Sequence, residues 1–342
     1  RYSSSAASDV YKRQGDWFRD AGVRETVESV IVAVMLALLF KAFEAEAFVI
    51  PTGSMAPTLQ GQHKDVVCPK CGFRYRVNAS VEARGMKRIK ETTCPICRYT
   101  QRLKPKNNWN QNTFSGDRIL VSKFAYDVAE PNRWDVIVFR YPDNAKQNYI
   151  KRLAGLPNEH LLIESGDLHV WNPPEDAPEA LPDDRSQFSI VRKPPRKLLS
   201  MLQLVDDTKY LAPELVEVDW PLRWQEWSAT SDQKTWTADL SPDGPVYTIA
   251  KTPELNWLRY RHLVPRRTEW TEISAGRLPK RMNNPLGELI SDYYEYNDSI
   301  PDEITPQLGP ENATAIAHRG IHWVGDLVLD ANIKVDSNEG TL

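Results

Sequence analysis

Phe48-Val49-Ile50-Pro51-Thr52-Gly53-Ser54-Met55-Ala56-Pro57-Thr58-Leu59 follows directly on the most apolar segment of the chain and decides how the rest is read. Two prolines and a glycine between Pro51 and Pro57 exclude a regular helix, because proline removes a backbone donor and fixes φ while glycine opens unusual angles. Ser54 is therefore displayed on a shaped turn. A hydroxyl so placed attacks a carbonyl once a base takes its proton, and the N–H of the same turn can point at the oxyanion that forms. Alone the stretch is weak evidence, since Gly-Ser pairs flanked by prolines are common in ordinary loops.

Three further segments change its weight: Gly116-Asp117-Arg118-Ile119-Leu120-Val121-Ser122-Lys123-Phe124, Arg133-Trp134-Asp135-Val136-Ile137-Val138-Phe139, and Tyr149-Ile150-Lys151-Arg152-Leu153-Ala154-Gly155-Leu156-Pro157. Together with Ile50–Leu59, and in this order, they resemble the motifs of bacterial type I signal peptidases, membrane-anchored serine proteases in which the serine works with a lysine. The resemblance covers roughly residues 24–60 and 114–172 and leaves about half the chain without support. It implies Ser54 as nucleophile, Lys151 as the general base, and the Thr52 hydroxyl joining the Ser54 N–H at the oxyanion. It implies signal peptides of secretory precursors as substrates, ending in small residues of the Ala-x-Ala type. Phe48, Ile50, Tyr149 and Ile150 are the expected lining of shallow pockets, and Arg152 is expected to be structural. No cofactor is implied for catalysis. One departure matters: the family's later Gly-Asp-Asn and Ser-x-Asp-Ser-Arg motif, whose serine orients the lysine, does not occur, and the nearest fragment, Asn297-Asp298-Ser299, does not fit.

A lysine is a base only when neutral, and its ordinary pKa is about 10.4. Bringing it to about 7.5 takes roughly three units, or about 4 kcal/mol, which burial against apolar surface supplies. Period-two alternation puts Tyr149, Lys151 and Leu153 on one face of a strand.

Val23 to Phe43 reads as one helix with an uninterrupted apolar core from Val30 to Phe40. Those eleven residues are short of the roughly 20 that cross a bilayer, so a transmembrane anchor over 23–43 has to include its polar flanks. Lys12, Arg13, Arg19 and Arg24 precede the segment and Glu44 and Glu46 follow it. The positive-inside rule then places the N-terminus in the cytoplasm and the catalytic part outside, at the cell (inner) membrane with a single pass. No removable-signal cleavage site is read after the apolar run, so a retained anchor is expected. Residues 1–22 are taken as a disordered cytoplasmic leader, of which 1–14 are small, polar and aperiodic.

All four cysteines fall in Cys68-Pro-Lys-Cys71 and Cys94-Pro-Ile-Cys97. Two Cys-x-x-Cys turns 22 residues apart suit a zinc ribbon with a closed, structural four-thiolate site. Two disulfides in an oxidising exterior, or a redox role, are the competing readings. The unit spans 61–106 and looks like an insertion. It holds twelve Lys or Arg against three Asp or Glu, a balance of +9 that leaves -12 for the remainder of a net -3. Beside a membrane this suggests contact with a lipid bilayer of anionic head groups, against the plain alternative of a solvated face. Nucleic acid is not an expected partner.

Strand signals at Ile119–Phe124, Val136–Phe139 and Tyr149–Leu153, and a hairpin from Leu161 to Trp171, give a mainly β, antiparallel pattern, and the resemblance implies the signal peptidase catalytic fold over 44–60 and 107–172. After Asn172 the composition shifts to Pro, Asp and Glu, and 173–342 reads as a further β-rich insertion. Residues 220–270 hold six of the eleven tryptophans, Trp220, Trp224 and Trp227 among them, read as core in preference to a ligand groove. Leu329, Ala331, Ile333 and Val335 alternate with polar residues as in a half-buried strand, and the chain looks unfinished after it. The main alternative to a protease is a catalytically inactive, membrane-anchored scaffold binding partners through its ribbon and β region. A self-cleaving repressor-type Ser-Lys protease would need a DNA-binding helical domain, and the sequence ahead of Ser54 is instead apolar.

Overall fold

Short runs rich in β-branched and aromatic residues, punctuated by Gly, Pro and Asn, build strands of two to nine residues, and every ladder described is antiparallel. The computed structural model describes residues 21–39, 45–83, 85, 88–164, 166–227, 235–241, 243–250, 255–291, 293, 296 and 324–336. Helix α1 (Ala21–Leu39) precedes β1 (Ala45–Val49), β2 (His63–Val67), β3 (Arg74–Asn78), β4 (Glu91–Thr93), β5 (Thr100–Arg102) and β6 (Arg118–Ser122). Then come β7 (Val136–Tyr141), β8 (Asn144–Arg152), β9 (His160–Glu164), β10 (Asp167–Trp171) and β11 (Ser189–Ile190). The last are β12 (Trp224–Trp227), β13 (Trp236–Ser241), β14 (Gly244–Ile249) and β15 (Trp257–Tyr260).

The chain divides into two compact units. In the first, which takes residues up to Val49 and Arg118–Asn132, β1 pairs with β6, Ala45 facing Ser122 and Val49 facing Arg118. Lys123 pairs with Glu46 across this ladder at 3.4 Å. Helix α1 exposes apolar side chains around its whole circumference, from Val27 through Val30, Val32, Val34 and Leu36 to Leu39. Among the described residues no helix is long and apolar enough to cross a membrane. The reason is geometric: the helix carries Arg24, Glu25 and Glu28 in its first half. The apolar run from Val30 to Leu39 reaches only about 15 Å at 1.5 Å per residue, against a core of about 30 Å. Residues 40–43 of the expected span, residues 1–20 of the leader, and Asn297-Asp298-Ser299 lie outside the described residues, while Ala21 and Gly22, expected in the disordered leader, are the first residues of helix α1.

The second unit takes Ile50–Asp117 and everything from Arg133. Hairpin β7–β8 aligns Ile137 with Lys151 and Phe139 with Tyr149. The expected Leu161–Trp171 hairpin is β9–β10, extended by β11 on the far side of β10. Strands β2–β3 and β4–β5 carry the two cysteine turns, and β12–β15 and β13–β14 form the later ladders. One core joins the cysteine-bearing hairpins to residues 212–296: Val66, Tyr75, Ile96 and the cysteines pack with Leu215, Trp220, Trp270 and Ile273. Of the clustered tryptophans, Trp220 and Trp270 are core residues, as read from sequence, while Trp224 is half-buried and Trp227 exposed. The alternating stretch at 329–336 is not a strand. It has no ladder partner among the described residues, and Leu329, Ile333 and Val335 stay exposed, because alternation buries a face only where a second strand completes the sheet.

Candidate active site and cysteine cluster

After β1 the chain turns through Pro51 and Thr52 into a single 3₁₀ turn, Gly53–Met55. The apolar neighbours anchor this turn: Ile50 is 2% exposed and Met55 6%, and Ser54 between Gly53 and Met55 is left at the surface. Backbone bonds close it, from Ala56 N to Gly53 O at 2.9 Å and from Leu59 N to Met55 O at 3.0 Å. Thr52 is the half-buried, extended residue at the head of the turn, and its side chain makes no capping bond.

Asp117 braces the turn from the side. Ile50 N donates to Asp117 O at 3.0 Å, Asp117 N to Gln60 O at 2.9 Å, and the Asp117 carboxylate accepts from Gln60 N at 2.7 Å. Two glycines let the segments come this close: a Cβ on Gly61 would lie 2.2 Å from the Thr52 carbonyl carbon, and one on Gly116 would lie 1.9 Å from Ile50 O. In the sequence Gly116-Asp117 stands only as part of a motif, with no role marked for either residue. The signal was the pair itself, a residue without Cβ followed by a carboxylate that can take a backbone N–H. Gly61→Ala must therefore shift the Thr52–Gly53 backbone. Since a displacement of about 1 Å costs on the order of 10²-fold in rate, this variant is expected to lose at least that much peptide cleavage. Cleavage at the wild-type rate would show that the turn does not depend on this close approach.

Lys151 lies near the end of β8, its Nζ 2.8 Å from Ser54 Oγ and 3.1 Å from Ile150 O. The Tyr149 ring, two residues back on the same face, lies 5.6 Å from Nζ and packs against Phe139 and Tyr141. Burial by this surface lowers the Lys151 pKa from the ordinary lysine value. Lys151 and Ser54 both remain open to solvent, so the desolvation is partial. Arg152 donates to Trp134 O at 3.1 Å and so braces the hairpin, as expected of a structural residue. Of the expected pocket residues, Tyr149 and Ile150 are half-buried beside Lys151. Ile50 is sunk beneath the turn and presents no surface, because it anchors the Ser54 loop. Phe48 is half-buried on β1, in the other unit.

The two cysteine turns are built alike. Gly72 N donates to Cys68 O and Arg98 N to Cys94 O, both at 3.0 Å, with Gly72 and Arg98 at φ 74° and 58°. Cys68 N bonds Phe73 O at 2.8 Å and Cys94 N bonds Tyr99 O at 2.9 Å. This repetition aims four sulfurs at one point. All four thiols are free, and all Sγ atoms lie within 4.8 Å of one another, Cys68 to Cys97 at 3.5 Å and Cys71 to Cys94 at 3.6 Å. Hydrogen bonds from Cys71, Cys94 and Cys97 hold the Cys68 thiol well below its ordinary range, and burial pushes Cys94 up. The four could hold a metal ion. Their spacing fits a tetrahedral ion, since four sulfurs about 2.3 Å from such an ion lie about 3.8 Å apart.

The model of the family described as signal peptidase, peptidase S26, matches residues 96–212. That match includes Lys151, runs past Asn172, and does not reach back to Ser54. Signal peptidase I of Pseudomonas fluorescens is 46% identical over 56 residues, 13% of this chain and 20% of that protein. Signal peptidase I of Rickettsia bellii is 27% identical over 143 residues, 42% of this chain and 38% of that protein. The probable signal peptidase I-2 of Synechocystis sp. is 24% identical over 151 residues, 43% of this chain and 44% of that protein. The chain thus spans less than half the length of these curated relatives. No solved structure matches it.

Proposed function

We propose that this chain, whose residues 96–212 match the signal peptidase family model, removes signal peptides from secretory precursors with Ser54 as nucleophile and Lys151 as general base. The observation that carries the reading is the 2.8 Å approach of Lys151 Nζ to Ser54 Oγ, made by residues 97 positions apart. Neutral Lys151 takes the Ser54 proton as Oγ attacks the scissile carbonyl. The oxyanion receives the Ser54 N–H and the Thr52 hydroxyl. Collapse breaks the C–N bond, Lys151 returns the proton to the leaving amine, and a water deprotonated by Lys151 then hydrolyses the acyl ester. A peptide lying over Tyr149 and Ile150 excludes water from Lys151 and completes the desolvation that the open site provides only in part.

The four cysteines hold zinc as a closed structural site, with no position left for a reacting water. Helix α1, apolar on all faces from Val30 to Leu39, supports a membrane anchor, its run continued in sequence by Phe40, Ala42 and Phe43 around Lys41. The basic residues ahead of it then face the cytoplasm and Ser54 the far side. The test is cleavage of a precursor peptide with an Ala-x-Ala site by the purified chain in detergent. Cleavage after the second alanine, abolished by Ser54→Ala, is the expected result. Cleavage that survives Ser54→Ala would overturn the assignment, and an inactive wild-type chain would leave the anchored scaffold as the reading.

A further inference from the structure

We infer that the protein binds a phosphate-bearing ligand in a cleft on its second cysteine hairpin, separate from the Ser54–Lys151 site. The cleft has a volume of about 600 Å³ and lies between β5, the segment from Lys104 to Gln111, and Arg267. Small-molecule sites span roughly 300–1,000 Å³, so the space suits a ligand and not a single water.

Its charge is one-sided. Arg267 and Glu91 form a two-bond ion pair at 2.7 and 3.0 Å and largely cancel. Among the described residues Glu91 is the sole acidic one of the lining, while Arg102 and Lys104 also line it. Neither Arg102 nor Lys104 has an ion-pair or hydrogen-bond partner for its side chain among the described residues. Asn107 and Asn108 add amides to the same wall, and Asn108 Oδ1 is already taken by Asn110 N at 3.1 Å, which leaves its NH₂ to donate. The site therefore offers uncompensated cations and donors on a wall that also carries Pro69 and Tyr99. Its complement is a hydrated anion with several acceptor oxygens, which a phosphate group is and an apolar peptide is not. Residues 61–106, which include Arg102 and Lys104, carry a surplus of nine positive charges, a field that favours the approach of an anion. A soluble phosphomonoester and the head group of an anionic phospholipid share that chemistry.

The experiment is titration calorimetry of the full chain with sn-glycerol 3-phosphate, with succinate as a dianion lacking phosphate, and with vesicles of phosphatidylglycerol or phosphatidylcholine. Arg102→Ala and Lys104→Ala are each expected to weaken phosphate binding about tenfold or more, the worth of one charge-assisted bond. Arg74→Ala, which removes the same charge from the same basic stretch outside the cleft, is expected to change it little. Cleft-dependent binding of glycerol phosphate assigns a soluble ligand. Cleft-dependent binding of phosphatidylglycerol vesicles alone assigns a lipid head group. Equal loss in Arg74→Ala, succinate binding as tight as phosphate, or no binding by either phosphate source would overturn the inference. Circular dichroism of the variants, all at exposed positions, separates loss of the site from loss of the fold. None of these readouts depends on peptide cleavage, so this inference and the protease reading fail independently.

Discussion

Lys151→Ala is expected to lower cleavage of an Ala-x-Ala peptide by about 10²–10⁴-fold, the range that a positioned general base contributes. The fold should persist, because Nζ bonds only Ser54 Oγ and the neighbouring Ile150 O. Lys151→Arg should be equally inactive, since a guanidinium stays protonated and cannot act as base. The pH profile carries the stronger test. Burial lowers the Lys151 pKa from 10.5, so activity should rise with pH on a limb whose midpoint lies below that value. The sign for stability is the same. The folded state binds fewer protons than the unfolded one between the lowered and the ordinary pKa, so stability also rises with pH across that window. Below it, both forms are protonated and the cost of desolvating the ammonium is fully present. A limb centred at the ordinary lysine value, or a Lys151→Ala variant that cleaves at the wild-type rate, would remove Lys151 from the base's role.

With zinc at the cysteine site as proposed, stripping it should cost more than any surface change. Structural tetrathiolate sites contribute on the order of 10 kcal/mol, comparable with the roughly 5–15 kcal/mol that holds a typical protein together. The loss should spread well beyond the ribbon. Arg223 and the Trp270 indole donate to Ile96 O and Cys97 O at 2.5 and 3.1 Å, and Tyr293 donates to Thr93 O at 2.7 Å. Three side chains from the later region are thus seated on the turn that carries Cys94 and Cys97, and Lys70 of the first turn pairs with Glu214. Chelation at neutral pH, or Cys94→Ser, should therefore shift tryptophan emission to the red and open residues 205–296 to protease, since Trp220 and Trp270 lie in the shared core. Unchanged emission after metal removal would show that the core stands without it. A purified protein with no titratable thiols would replace the metal reading with disulfides.

Much of the candidate site is legible along the chain because its chemistry is local. A serine on a turn that cannot be helical, a lysine on a strand that alternates with tyrosine, and two Cys-x-x-Cys turns each advertise themselves within ten residues. The antiparallel class follows likewise from strand runs with no helices between them. What the sequence does not carry is every relation set by distant backbone. Ile50 reads as an exposed apolar lining residue, yet the turn needs it as an anchor and buries it. Nothing in the local sequence of Gly61 or Gly116 shows that a side chain is impossible there, and only the approach of Thr52 and Ile50 makes it so. The alternation at 329–336 predicts a strand, but a strand exists only where another backbone takes its N–H and C=O groups, and none among the described residues does.

By itself, then, the sequence determined which groups can react and which can ligate, because nucleophile, base and thiol are properties of side chains and their near neighbours. Only the tertiary structure decided that Lys151 reaches Ser54, that four thiols meet at one point, and that the ribbon and the tryptophan-bearing region share a core. Those are distances between residues tens to more than a hundred positions apart, and they are set by packing that no local pattern encodes.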